Sequence, residues 1–546
     1  MPYSLVSSLS SPRAEASPGQ SRAARYGAAL LTSGLWAVAL GYGAWPVAWV
    51  AFLPLWITYL LMPVPVATVL RDTAGPALVA HAGAYLIAYP WLATHATPAG
   101  TQAGIAAWVL LSLLYSLPLI AGGLHAQRHC CWHGLLLWGG GWILVDLLMQ
   151  YGPWAFPWVL GAHALVDSPG TAFFIRLGGP VFLTFFLAGM HVLLAAVVVH
   201  VVRPRHLSAH PRSDVEEHNV EGHNSVWIRA AGAVAGGAAL LVAALVAMLP
   251  AAPDTSSPGP PSRGAPTAWV VQPAMPPTTW SDAQASARRA ALMHQTTTAL
   301  DTASTRPDLI VWPETALHAA DTLGLQQNVT AWQVPLLAGA VLPADEHGLH
   351  TNAALLLRPG GAAQRYDKRH LVPLVEFVPG STLWRGLQRF QLAHDMSRAY
   401  RPGTGLHPVT ADTSTFIPLI CFESLFSSYV ATAGPTLHEA TGMITLAQTD
   451  WWGRAQPARQ HVHYSRLRAI ETGRPLLIAS VGGPSTLVYP SGKAEELVAY
   501  GTSGVATVQW PRTQPAGAHM RMAPYTDIAW TVVGILLVYT VTRRNP

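Results

Sequence analysis

Seven apolar stretches, each near the roughly 17 to 25 residues needed to cross about 30 Å of hydrocarbon, crowd the first 250 of 546 residues. They run over Ala28 to Gly43, Pro46 to Leu61, Pro76 to Thr94, Gly104 to Leu124, Gly134 to Tyr151, Val181 to Val202 and Ala230 to Pro250, and an eighth, Tyr525 to Thr542, closes the chain. A chain that is 51% hydrophobic and only 11% charged is rarely a wholly soluble protein. These features predict a multispanning α-helical membrane domain of about eight helices.

Arginine placement tests this division independently, because cytoplasmic loops carry the excess of Lys and Arg. Arg13, Arg22 and Arg25 precede the first span, Arg71, Arg128, Arg203, Arg205, Arg212 and Arg229 fall in alternate loops, and Arg543 and Arg544 follow the last span. Arg176 is the exception on the other side. The pattern predicts a cytoplasmic tail over 1–27, a membrane domain over 28–250 and a cytoplasmic tail over 543–546. The segment from Ala251 to Pro524 is then extracytoplasmic. Its first part, 251–267, is rich in Pro and Ser and reads as a linker. The net charge of +5 comes without any Lys/Arg run, so basicity points to membrane topology and away from nucleic acid.

Residues 268–524 alternate short β-like runs with helix-like stretches. Strands are expected at Ala268 to Val271, Leu309 to Val311, Ala353 to Leu357, Phe416 to Ile420, Met443 to Leu446, Leu476 to Ser480 and Val505 to Val508, with helices near Asp282 to Leu300 and Pro457 to Glu471. This alternation predicts an α/β domain in which helices cover a sheet core.

Three polar residues stand where strand-like runs end: Glu314 after LIVWP, Lys368 after RYD and Cys421 after FIPLI. Ends of strands are where α/β folds present functional groups. A thiol, a cation that lowers its pKa and steadies an oxyanion, and a carboxylate that accepts and returns a proton together suffice for acyl transfer. Singly each has a bland reading: Cys421 as a small buried hydrophobe, Lys368 as a surface charge and Glu314 as a helix N-terminal carboxylate. The cysteines at 130, 131 and 421 form neither a disulfide framework nor a metal-ligand spacing. The only lysines are at 368 and 493, so a general preference for Arg is set aside at Lys368.

The text around the three residues resembles a known family. VWPETAL around Glu314, YDKRHLVPLVEFVPG around Lys368 and PLICFESLF around Cys421 are similar to the three nitrilase-superfamily motifs, in order. TDWWGRAQPARQHVHYSRLRAIETGRPLL, residues 449 to 477, adds a long match. More narrowly, the whole organisation resembles the apolipoprotein N-acyltransferases. The resemblance implies a nitrilase-like αββα sandwich over 268–524, anchored in the bacterial inner membrane and facing the periplasm. It implies Glu314 as general base, Lys368 as the oxyanion-stabilising cation and Cys421 as nucleophile. Glu376, Phe422, Glu423, Trp451 and Arg474 fall at positions that support substrate binding or the transition state. The reaction implied moves an acyl chain from a phospholipid, typically phosphatidylethanolamine, through a Cys421 thioester to the amine of a diacylglyceryl-cysteine lipoprotein. It requires neither a metal nor a dissociable cofactor.

The chain departs from the family pattern at Phe422, where Tyr is common, at Ala274, in place of Asn, and at Val481-Gly482, in place of an Asn-containing turn. Asp146, inside the fifth span, replaces a Glu, and an intramembrane carboxylate is either a functional group or a helix-packing partner. Two other readings use the same residues. One is a membrane-anchored nitrilase or amidase that hydrolyses a C–N bond. The other is a catalytically inactive scaffold for lipoproteins. The His-rich stretch from His206 to His223 reads as solvated loop, since its spacing fixes no ligand set.

Overall fold

A computed structural model describes residues 18–62, 64–94, 98–128, 131–152, 154–202, 265–273, 282–318, 321–343, 345–346, 348–373, 375–377, 400–449, 453–523 and 525–542. The N-terminal half is helical: α1 (Pro18–Tyr42), α2 (Trp45–Ala48), α3 (Leu53–Leu61), α4 (Val69–Ala88), α5 (Pro98–Arg128), α6 (Cys131–Leu148) and α7 (Thr171–Val202). Two of the expected spans begin earlier than their prolines suggest. Pro76 sits inside α4. The helix α7 is kinked where Gly179 leaves helical geometry (φ 77°, ψ −174°) ahead of Pro180, a position at which a side chain would meet the His519 ring. The second expected span is broken into α2 and α3, and the seventh, 230–250, lies outside the described residues, as do the His-rich loop and 251–264 of the expected linker, whose last residue, Thr267, instead opens the first strand. Among the described residues, Gly104–Arg128 and Thr171–Ala195 are long and apolar enough to cross a membrane, with shorter apolar helices at Trp45–Leu61, His133–Leu148 and Tyr525–Thr540.

The C-terminal half contains two sheets. The first orders β13 (Gly504–Gln509), β1 (Thr267–Gln272), β2 (Leu309–Val311), β4 (Leu336–Leu342), β5 (Thr351–Leu357) and β6 (Gln364–Asp367), with β3 (Leu317–His318) on β4. The second orders β12 (Ala494–Val498), β11 (Ser485–Val488), β10 (Leu476–Ser480), β9 (Gly442–Ala447), β8 (Ser414–Ile420) and β7 (Val409–Ala411). All seven expected strands are present within two residues of their predicted ends. The run LLAGAVL of β4 and the helix α9 (Thr322–Trp332) were not anticipated.

Period-two alternation assigns the layers. Along β1 and β2, Val270 and Val311 join Leu356, Leu419, Leu446 and Leu477 in the core shared by the two sheets. The intervening Trp269, Val271, Ile310 and Trp312 pack instead against Leu292 of α8 (Asp282–Thr302) and Leu325 and Val329 of α9. On the outer side of the second sheet lies α12 (Ala455–Thr472), which touches β10, β11 and β12. The order helices, sheet, sheet, helix is the αββα sandwich.

One further layer follows, because α12 also packs on the helical half. Tyr464 Oη donates to Leu40 O at 3.0 Å and its ring stacks on His163 at 3.9 Å. Gln460 accepts Trp91 Nε1–H at 2.9 Å and donates to Ala88 O at 2.8 Å. Arg176 donates to Ile470 O at 3.1 Å, and Arg466 to Asp167 at 2.7 Å. Asp146 belongs to the scaffold beneath this contact. It accepts Tyr115 Oη at 2.7 Å, Thr184 Oγ1 at 2.6 Å and Gly161 N at 3.0 Å, tying α5, α6, α7 and the docking loop together. The packing role holds for Asp146.

Gly339 of β4 allows the backbone around Glu314 to approach closely. A Cβ there would lie 2.5 Å from Glu314 Cα and 2.7 Å from Pro313 O, both rigid backbone. Gly339→Ala overpacks this contact and is expected to cost about 1–3 kcal/mol, lowering the thermal midpoint of the C-terminal half. An unchanged midpoint would contradict the tight packing.

Candidate active site

Strand direction explains how distant residues meet. The strands β1, β2 and β4 are parallel, while β5 and then β6 each reverse. The C-terminal ends of β2 and β6 and the start of β5 therefore share one edge. Glu314 follows β2, Lys368 follows β6 and Asn352 stands near the start of β5. In the second sheet β8, β9 and β10 are parallel, so Cys421 and Gln448 leave the same end of neighbouring strands. Lys368 Nζ bridges Glu314 Oε1 at 3.2 Å and Glu376 Oε1 at 2.8 Å. Asn352 Nδ2 reaches Glu314 Oε1 at 2.8 Å and Glu376 Oε1 at 3.3 Å, and Gln448 N–H donates to Glu314 Oε2 at 2.8 Å. The Gln448 N–H also faces the Cys421 thiol.

Two residues of this site have side chains on strained backbone. Cys421 has φ 48° and Thr315, beside Glu314, has φ 52°. Such geometry costs about 1–3 kcal/mol per residue and persists only where neighbours enforce it. Arg288 donates to Thr315 O and Oγ1 at 3.3 and 3.1 Å, and Thr315 Oγ1 donates to Gln448 Oε1. Glu423 secures the loop that carries Cys421. Its Oε1 accepts Arg369 N–H at 2.7 Å and His370 N–H at 3.1 Å, and its Oε2 accepts Ile420 N–H at 2.8 Å and Tyr366 Oη–H at 2.6 Å.

The electrostatics refine one expectation. Lys368 pulls the thiol pKa down, as expected, but does not set its net direction. Burial raises the pKa first, the Glu314 charge raises it further, and the opposing pull of Lys368 and the Gln448 N–H is smaller. Cys421 thus stays a thiol until a base takes its proton. Burial also raises Glu314, against the pull of Lys368 and with a further push from Glu376. Lys368 is held well above its usual range because two carboxylates outweigh its own burial. One ammonium between two carboxylates leaves a net negative charge, which favours a proton arriving on Glu314.

The supporting residues divide. Glu376 lies in the site and Glu423 braces the nucleophile loop. Phe422 is buried against Phe156 of the helical half at 5.6 Å and Phe426 at 5.0 Å. Trp451 and Ala274 lie outside the described residues. Arg474 is not brought to the site. It precedes β10, at the opposite end of the parallel strands from Cys421, and donates to the carbonyls of Leu437 at 2.8 Å and Gln514 at 2.9 Å and to that of His438. It is an architectural clamp without a carboxylate partner among the described residues. Asn352, Gln448 and Tyr366 also belong to the site, and no motif marks Asn352 or Gln448 in the sequence. For Asn352 a signal existed, an amide at the polar start of the otherwise apolar run TNAALLL.

Residues 267–509 match the carbon-nitrogen hydrolase family model. The C-terminal half carries a carbon-nitrogen hydrolase domain. The chain is 29% identical over 256 residues to an apolipoprotein N-acyltransferase of Brucella suis, covering 44% of this chain and 47% of that protein. It is 29% identical over 252 residues to that of Sinorhizobium fredii, covering 44% and 46%. The match spans about half the length of these curated relatives. A solved CN-hydrolase superfamily protein from Xanthomonas campestris aligns at 17% identity over 49% of this chain and 97% of its own, with a TM-score of 0.32.

Because Glu376 is one cause of the raised Glu314 pKa, Glu376→Gln removes a push upward. The acid limb of the pH–rate profile for Cys421 acylation is expected to move to lower pH, together with a fall in rate as Lys368 loses a partner. A limb that moves up, or stays, would contradict the assignment of Glu314 as base. Glu423→Gln replaces a four-donor acceptor with one oxygen and an amide, and is expected to slow acylation about 100-fold. A rate within a few-fold of wild type would show that the nucleophile loop does not depend on Glu423.

Proposed function

We propose that this protein is an apolipoprotein N-acyltransferase that moves a phospholipid acyl chain through a Cys421 thioester to the amine of a diacylglyceryl-cysteine lipoprotein. The observation that carries the reading is the buried Glu314–Lys368–Glu376 cluster beside a strained, buried Cys421. Glu314 takes the thiol proton as sulfur attacks the ester carbon. Lys368 and nearby N–H groups stabilise the oxyanion, and Glu314 returns the proton to the leaving lysophospholipid. In the second half-reaction the lipoprotein amine attacks the thioester, gives its proton to Glu314, and the thiol is restored.

A membrane location supports the choice of lipid substrates. Leu113 and Leu117 of α5 are 47% and 58% exposed, and Ile528, Val532, Ile535, Leu536 and Tyr539 make one exposed apolar stripe on α14 (Tyr525–Thr542). Such faces are costly in water and at home in lipid. Arg22, Arg71 and Asp72 meet at the ends of α1 and α4, while the opposite ends, at Leu40 and Ala88, meet the catalytic domain. The helical rise from Arg22 to Leu40 along α1 puts about 27 Å between them. This separation accords with a multi-pass inner-membrane domain, arginines in the cytoplasm and the catalytic domain at the outer leaflet. There both substrates, phosphatidylethanolamine as typical donor and a diacylated apolipoprotein as acceptor, are reached without extraction from the bilayer.

The test is the intact mass of purified full-length protein after incubation with phospholipid bearing a labelled acyl chain. Wild type is expected to gain one hydroxylamine-labile acyl group and Cys421→Ala none. No adduct, or the same adduct on both, would sink the reading. Turnover of soluble amides without lipid use would favour the amidase, and a phenotypically silent Cys421→Ala the scaffold.

A further inference from the structure

The strained nucleophile is gripped from behind by residues that the proposed chemistry does not use. The Cys421 carbonyl oxygen accepts His461 Nε2–H at 2.9 Å and Ser424 Oγ–H at 3.1 Å. Ser424 Oγ lies 3.0 Å from His461 Nε2 and 2.8 Å from Ser465 Oγ. His461 and Ser465 are one turn apart on α12 and face the same way. All three are fully buried. Burial lowers the His461 pKa to about 4, so the ring is neutral, and the carbonyl acceptor requires its one proton on Nε2. The other nitrogen, Nδ1, is buried without a hydrogen-bond partner among the described residues, and carries no proton.

The peptide joining Cys421 to Phe422 is planar and trans, so its carbonyl oxygen and N–H point in opposite directions. Fixing the oxygen toward α12, outside the second sheet, turns the Phe422 N–H away from α12 and toward the first sheet, where Glu314 and Lys368 lie. We infer that His461 is a positioning residue that, through the Cys421 carbonyl, aims the Phe422 N–H at the oxyanion of the acyl group being transferred. As the carbon–sulfur bond forms, the carbonyl electron pair moves onto oxygen and meets this donor. When the tetrahedral intermediate collapses, the pair returns and the alkoxide leaves with a proton from Glu314. The helical half takes part, since the Trp158 ring stacks on His461 at 5.9 Å between centroids and 25° between planes.

The inference rests on Cys421 being an acyl-accepting nucleophile, and the test separates the two. Full-length protein in detergent is acylated with a p-nitrophenyl ester, which needs no phospholipid site, and separately alkylated with iodoacetamide, a displacement that forms no oxyanion. His461→Gln places an amide N–H where Nε2 stood, whereas His461→Asn falls one methylene short. The Asn variant is expected to acylate at least about 30-fold more slowly with KM little changed, and the Gln variant to stay within about fivefold of wild type, given that one oxyanion donor is worth about 10²–10³ in rate. Iodoacetamide should label Cys421 equally in all three, with like thermal midpoints. Equal acylation by the Asn and Gln variants, or acylation and alkylation falling together, would overturn the role of His461 alone. A wild type that neither ester nor phospholipid acylates would overturn the site reading and the inference with it.

Discussion

The Lys368 ammonium, buried between Glu314 and Glu376, is the interaction on which the rest of the site depends. A lone ammonium at this depth would cost several kcal/mol in lost hydration. Two carboxylates at 3.2 and 2.8 Å offset that cost and hold the cation charged. Burial first, and then the excess negative charge of this arrangement, keep Glu314 receptive to a proton and Cys421 in its thiol form. In the proposed reaction, attack by sulfur and proton transfer to Glu314 are thereby coupled, so that the thiolate forms only as an acyl carbon receives it.

That cluster needs a rigid frame, and the frame comes from both halves of the chain. The first sheet contributes the carboxylate, cation and Asn352, and the second contributes the thiol and the Gln448 N–H. Their common edge is set by strand polarity and by the Gly339 contact. The strain at Cys421 and Thr315 is held by hydrogen bonds to their carbonyls and side chains from α12 and Arg288. Since α12 lies between the second sheet and the helical half, the contacts of Tyr464, Gln460 and Trp158 carry the position of the bundle to the nucleophile loop.

Much of this was legible in the sequence, for physical reasons that differ from element to element. Glu314 and Cys421 stood out because each ends an apolar run, and Lys368 because it follows the short polar strand QRYD in a chain with almost no lysine. Strand β4 was missed because LLAGAVL has small residues and no polar alternation, so it reads as readily as a buried helix. Helix α9 is short and ends at Gln333, a left-handed position without the usual glycine. The thiol's protonation was misjudged because burial is a tertiary property, and a sequence shows the cation without the desolvation that outweighs it. Arg474 looked functional through its place in a motif, whereas its partners are backbone carbonyls that no sequence pattern displays.

The central claim is that the thioester is passed to an amine and not to water. The most direct measurement incubates the full-length protein with phosphatidylethanolamine vesicles and a synthetic diacylglyceryl-cysteine peptide, and follows peptide mass and released fatty acid together. The account predicts a peptide heavier by one acyl chain at its α-amine, with lysophospholipid formed in equal amount. Unchanged peptide with fatty acid accumulating would mean a hydrolase and would contradict it.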